Sequence, residues 1–244
     1  SYKEALEKAL AIVQPLKDRK HIPLLQATGR ILAKDIVADR DLPPYNRSQM
    51  DGYAVVASEV SKGVAMEVTA RIAAGSNGVT NQEQKPNTCV AIATGAPVPP
   101  QFDAVLQHEL TDRGDLEGGR VTFHIDNVQV GKAIHKQGVD ATLGETLIEA
   151  GTRLSSQHIG IAATVGAVAL EVIRKPKVII LTSGDEVVLP SETPESHQIR
   201  NGNGPMIASL FASIGCDVHH YQHVQDHLDA TASAVTKALQ TCDL

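Results

Sequence analysis

Residues 41–55 read DLPPYNRSQMDGYAV, and the acid in that run has the strongest claim to chemistry. Pro43 and Pro44 fix the backbone and suit neither a helix interior nor a central ladder. Met50, Asp51 and Gly52 then predict a tight corner, and Tyr53-Ala-Val-Val predicts a strand. A carboxylate on such a corner is held by its backbone with its oxygens outward. That suits Mg²⁺ or a phosphate-bearing ligand better than packing. The plainer alternative is an Asp-Gly turn without a chemical role. A second acidic pair, Asp185 and Glu186, lies just past the apolar run Val178-Ile-Ile-Leu. In open α/β sheets, ligands bind beyond the carboxyl ends of strands. Neighbouring carboxylates there could hold Mg²⁺ or position a water, and a solvated turn is the competing reading.

Thr94-Gly95-Ala96-Pro97 offers a hydroxyl and backbone N–H groups, which make either a small oxyanion nest or a hairpin turn. Asp226 follows a second predicted strand, where it either serves a site or caps the next helix. His219, His220, His223 and His227 invite a metal reading. Their spacing changes register where strand passes into loop, so the rings do not converge as ligands must. Histidines elsewhere read as surface groups.

The elements that must position these groups fall into two styles. Residues 2–13 carry apolar positions at helical spacing, closed before Pro15. Residues 21–39 hold a strand-like piece, a short helix or turn at ATGRILA and a second apolar piece. From Tyr53 to Ile125, short β-like runs are separated by Gly, Asn and Pro, which predicts an all-β insert. A Gly-rich stretch after Gly131 leads to a helix over 156–165, capped by Ser155, and then to the strand AVALEVIR. The last part changes character. A strand at Val178, buried on both faces, precedes a helix over 204–214 with Asn203 as its cap and Gly215 as its stop. A strand over 217–221 and a helix over 227–240 follow, the opening of a parallel α/β sheet.

Composition narrows the classes. The 244 residues are 42% hydrophobic and 20% charged, an ordinary globular balance with room for one large or two modest domains. With 3% aromatics and no Trp, the core must come from Val, Ile, Leu and Ala. The net charge of −6 and the lack of a basic stripe argue against nucleic acid or an acidic membrane surface as partner. Cys89, Cys216 and Cys242 form no CxxC pair and no disulfide framework, which fits a reducing cytoplasm. No charged-then-apolar leader and no long apolar stretch suggest secretion or a membrane span. Ser1 in place of Met reads as a processed or engineered start. The stop at Leu244, where a third strand would begin, reads as a truncation.

DLPPYNRSQMDGYAV resembles the signature of the MoeA family of molybdopterin molybdotransferases, which includes the gephyrin E domain. Further segments match in order: Ala93 to Pro99, Asp103 to Glu109, Ala150 to Leu154, Thr182 to Glu186, and Gln198 to Asn203. The resemblance implies an elongated, multi-domain protein of α/β and β character. Residues 1–20 would be an N-terminal helix packed on the α/β domain. Residues 21–44 and 132–174 would form a mixed linker domain, 45–131 the β-rich insert, and 175–244 the start of a parallel three-layer, MogA-like α/β domain. Family members continue beyond the equivalent of Leu244. Departures stand at Asn46-Arg47, Val139 and Asn201, where the family pattern carries Asp-Asn, Glu and Asp.

The activity so implied is insertion of molybdenum, from molybdate, into adenylylated molybdopterin with Mg²⁺-assisted cleavage of the phosphate–AMP bond. Asp51, Glu186 and Asp140 would be catalytic. Thr94, Gly95, Ser183, Asp185 and Asn203 would bind substrate, and Asp226 with Glu186 would hold the metal. The resemblance also implies a homodimer in which Asp51 and Glu186 meet across subunits, with a MogA-type adenylyltransferase as a partner enzyme. A fragment of this length is expected to turn over little by itself. A non-catalytic scaffold of the gephyrin E type is the alternative.

Overall fold

The structure is a computed structural model that describes residues 1–77, 85–112 and 119–244. It divides into two compact units. One is Val37–Leu147; the other joins Ser1–Ile36 to Ile148–Leu244. The 78–84 and 113–118 parts of the expected β insert lie outside the described residues.

The Val37–Leu147 unit is built on a five-stranded sheet. Its order across the sheet is Ala104–Gln107, Gly52–Val55, Thr88–Ile92, Ala65–Ile72 and Arg120–Thr122. All neighbours are antiparallel except Ala65–Ile72 with Thr88–Ile92. Side chains alternate across the pleat, so Tyr53 and Val55 enter one core while Ala54 enters the other. One face gathers Tyr53, Met66, Val68, Cys89, Leu106 and Phe123, and the opposite face gathers Ile72, Val90, Ile92, Phe102 and Val105. Aliphatic content does not carry this core alone. Tyr53 and Phe123 are the two largest fully buried side chains, and their rings meet edge to face at 6.0 Å.

Gly52 is not a turn residue. It opens the strand Gly52–Val55, and a Cβ on it would lie 2.0 Å from the Leu106 carbonyl oxygen of the next strand. The glycine is therefore required by close backbone approach, and Asp51 stands immediately outside a rigid ladder.

In the other unit, Arg19–Pro23 pairs antiparallel with Ala169–Ile173. Helix α1, Tyr2–Ile12, is capped by Ser1 through a capping box with Glu4. Helix α1 buries none of its residues. Helix α2, Ser156–Thr164, starts at a capping box from Ser155. The strands Lys177–Ser183 and Asp217–Val224 run parallel, with α3, Asn203–Ser213, and α4, Leu228–Ala238, after them in the chain. The Val178 strand is not buried on both faces. Val178 and Ile180 are buried while Ile179 and Leu181 are only half-buried, since both helices pack against the pair without enclosing it. The Leu244 carbonyl accepts from the Ile179 N–H at 3.1 Å on the strand's other side. Arg174 ties this region together by binding both Asp18 and Asp243. The Arg174 bonds to Asp243, followed by the bond from the Lys177 N–H, hold the Asp243 carboxyl down to about 2.

Replacing Gly52 by Ala forces a carbon into the Leu106 carbonyl, and urea melts should show a loss of about 3 kcal/mol. Gly160→Ala in α2 meets no atom within 4 Å, so the same melts should show a gain of about 0.5–1 kcal/mol.

Candidate functional site

Asp51 is held by one residue. Its Oδ1 accepts the Thr94 N–H at 2.8 Å. That bond, followed by one from the Thr94 hydroxyl, holds the carboxyl below the ordinary carboxylate value; slight burial opposes this and His108 adds to it. Asp51 is thus an exposed, ionised group fixed in position at the end of a buried inner strand.

The same bonds correct the expected anion nest. Thr94 gives its N–H to Asp51, Gly95 gives its N–H to the Ser48 carbonyl at 2.8 Å, and Ala96 gives its N–H to Ala93 at 3.0 Å. With these amides engaged, the loop is a clamp for a carboxylate and not a cradle for an oxyanion. Gly95 holds φ +82°, which lets the turn close. Ser48 is buried, and its hydroxyl donates to the Met50 carbonyl at 2.6 Å, fixing the residues before Asp51.

A cavity of about 510 Å³ opens beside this clamp, lined by Arg47, Ser48, Gln49, Thr94, Gly95 and His135 among others. Asp140 belongs to the same neighbourhood. Both of its oxygens lie 2.9–3.0 Å from His135 Nε2, and His135 Nδ1 is 3.2 Å from the Gln49 amide. Asp51, Thr94, Gly95 and Asp140 are therefore brought together in the Val37–Leu147 unit. Sequence reasoning missed His135, Gln49 and Arg47. By residue type His135 reads as a surface group, and its signal is pairing opposite Arg47 in a short antiparallel ladder, which residue type alone does not reveal.

The remaining candidates lie in the other unit. Thr182, Ser183, Arg200, Asn201 and Asn203 help line a cavity of about 260 Å³ at the end of the Val178 strand. Asp185 and Glu186 follow Gly184, whose φ of +140° excludes a side chain; a Cβ there would lie 2.9 Å from Glu186 Oε2. Asp185 Oδ1 accepts the Asp226 N–H at 3.1 Å, so one acid of the pair braces the loop that carries Asp226. Asp226 is not a cap: α4 begins after His227, without a side-chain cap bond. Asn203 is not one either, since it already lies inside α3. The capping role belongs to Asn201, whose Oδ1 accepts the Gly204 N–H at 2.9 Å while its Nδ2 donates to the Thr182 hydroxyl at 2.9 Å. The amide makes both bonds, one as acceptor and one as donor. Among the described residues, no group of three or more His, Cys, Asp and Glu side chains gathers as a metal site. Cys89 is deep in the β core, where burial pushes its thiol up to about 12 and makes it inert.

A mixed β unit and a parallel α/β unit, each with an acid-bearing corner beside a polar cavity, define a multi-domain α/β protein. Residues 1–166 match the model of the MoeA N-terminal region (domain I and II), and residues 179–244 match that of the "Probable molybdopterin binding domain". The chain belongs to the MoeA family. It is 34% identical to a molybdopterin molybdenumtransferase of Staphylococcus epidermidis, with 100% of this chain and 58% of that protein covered. It is also 34% identical to the one of Bacillus subtilis, over 91% of this chain and 52% of that protein. The structure of the molybdopterin biosynthesis MoeA protein of Pyrococcus horikoshii OT3 superposes with a TM-score of 0.89 at 28% identity, covering 100% of this chain and 64% of that one. The chain thus spans somewhat more than half the length of the curated relatives it matches. No helix among the described residues is long and apolar enough to cross a membrane.

The Thr94 clamp fixes the sign of a pH effect. With the folded value depressed, the contribution of Asp51 to stability is complete above its ordinary value of 3.8 and disappears as pH falls through the folded value. Carboxyl-carbon NMR titration should place the Asp51 midpoint below 3.8. In Thr94→Ala, which loses the hydroxyl and keeps the N–H, the midpoint should rise but stay below 3.8, because the backbone bond is the larger cause.

Proposed function

We propose that the protein takes part in molybdenum cofactor biosynthesis as a molybdopterin molybdotransferase, inserting molybdenum from molybdate into adenylylated molybdopterin with loss of AMP. The observation that supports this reading most directly is the ionised Asp51 clamped by Thr94, in a chain whose first 166 residues match the MoeA model. The relatives named molybdopterin molybdenumtransferase supply the reaction class.

The geometry supports the following roles. Asp51, held without torsional freedom, orients the water or oxo group at the scissile phosphate. Asp140, bonded to His135, is the second acid of that pocket. In the other unit, Ser183 and Asn203 line the strand-end cavity and meet the substrate's polar edge. Thr94 and Gly95 form the wall beside Asp51, and Asp185 braces the acidic loop. Glu186 and Asp226 keep their carboxylates free of other partners among the described residues. They are the groups that would hold Mg²⁺. With no three-acid cage among the described residues, such an ion would take one or two carboxylates and the substrate's phosphate oxygens, which is the habit of magnesium. Bound there, magnesium would neutralise charge at the phosphate as AMP departs. A homodimer would bring the Asp51 pocket of one subunit to the Glu186 loop of the other. A MogA-type adenylyltransferase would supply the substrate, and the cytoplasm is the matching compartment.

The test mixes adenylylated molybdopterin, molybdate and Mg²⁺ with the chain, and in parallel with the product of its complete reading frame, and follows AMP by chromatography. The complete product should release AMP, and Asp51→Ala should slow release by about 100-fold or more. No release from either protein would favour the non-catalytic scaffold.

A further inference from the structure

Arg47 is the unusual group of the Asp51 pocket. Its backbone is paired on both sides, to His135 in one direction and to Pro97 in the other. The Val98 N–H also donates to the Asn46 carbonyl at 2.8 Å, and the Ser48 N–H donates to the Ala96 carbonyl at 2.9 Å. Arg47 is therefore the middle residue of a small ladder, and both walls of the cavity, the Thr94-Gly95 loop and His135, are bonded to its own segment.

Its side chain is exposed and has no hydrogen bond or ion pair among the described residues. The nearby acids are otherwise engaged: Asp51 by Thr94, Asp140 by His135, and Asp41 by the Gln137 side chain and the Leu143 N–H. The amides that might have received an anion are engaged as well. A fixed backbone thus presents an unpaired guanidinium at a cavity whose carboxylates and amides are already satisfied. A guanidinium fork matches a tetrahedral oxyanion by paired N–H bonds.

We infer that Arg47 is the oxyanion anchor of this pocket, gripping a tetrahedral oxyanion beside Asp51. The group is a phosphoryl of the substrate or molybdate itself. The inference rests on the proposed reaction only for the identity of that ligand. Arg47 is a substrate-positioning residue here; the reacting atoms are left to Asp51.

Calorimetric titration of the chain with inorganic pyrophosphate, and separately with molybdate, tests it. Wild-type protein should bind at least one of the two, and the stronger binder identifies the source of the oxyanion. Arg47→Gln should weaken that binding about tenfold, and Arg47→Lys, which keeps the charge but not the fork, should weaken it less. Equal binding of both anions by wild type and Arg47→Gln, or binding of neither by wild type, would overturn the inference. In the AMP assay, Arg47→Gln should raise KM about tenfold and leave kcat within about twofold. Absence of AMP release from the wild-type complete product would defeat the functional reading and leave the titrations to decide this one. AMP release with an unchanged KM in Arg47→Gln would overturn the anchor alone.

Discussion

The bond from the Thr94 N–H to Asp51 depends on a contact one residue away. Gly52 lies so close to the Leu106 carbonyl that only a hydrogen fits between the strands. That contact sets where the strand Gly52–Val55 begins, and hence where Asp51 leaves the ladder. Tyr53, fully buried against Phe123, prevents the strand from slipping, because a shift of one residue would turn the phenol out of the core. The acid at the corner therefore has a rigid base on one side and a two-donor clamp on the other. Both donors favour the charged form, so position and ionisation come from the same two bonds.

The α/β unit reaches a similar end by other means. Its acidic loop follows a parallel strand, as expected for a ligand site in an open sheet. Asn201 is nearly inaccessible and joins a strand to a helix, because it bonds Thr182 on one strand and caps α3 at Gly204. Gly204 in turn has no room for a side chain, since a Cβ would lie 2.7 Å from the Tyr221 ring. The cavity wall at Ser183 and Asn203 is thus set by one amide, one glycine and one aromatic ring.

Much of this was legible in the sequence, for physical reasons that differ between elements. The apolar alternation of AMEVTARI and the β-branched run at Val178 are local patterns, and both became strands. Ser155 precedes a helix with a residue able to complete a capping box, and α2 begins there. Asp51 was legible as a corner acid, and Thr94 and Gly95 as members of a family motif, but the bond between Thr94 and Asp51 was not. What was not legible is long-range or lies within two residues of the right answer. The cap of α3 fell on Asn201 and not on Asn203, because the bond from Asn201 Nδ2 to the Thr182 hydroxyl places Asn201 Oδ1 to accept the Gly204 N–H. The Asp-Gly pair reads as a turn until the neighbouring strand shows why a side chain is excluded. Arg47 and His135 are far apart in sequence and become one wall of a pocket only through their ladder.

The central claim is that Thr94 holds Asp51 as an ion, and the amide proton of Thr94 reports on that bond directly. In an NMR pH titration, the Thr94 amide resonance should shift with a midpoint below 3.8, the ordinary value of an aspartate. In Asp51→Asn it should show no such step. A Thr94 amide that ignores the ionisation of Asp51 in the wild-type protein would contradict the account.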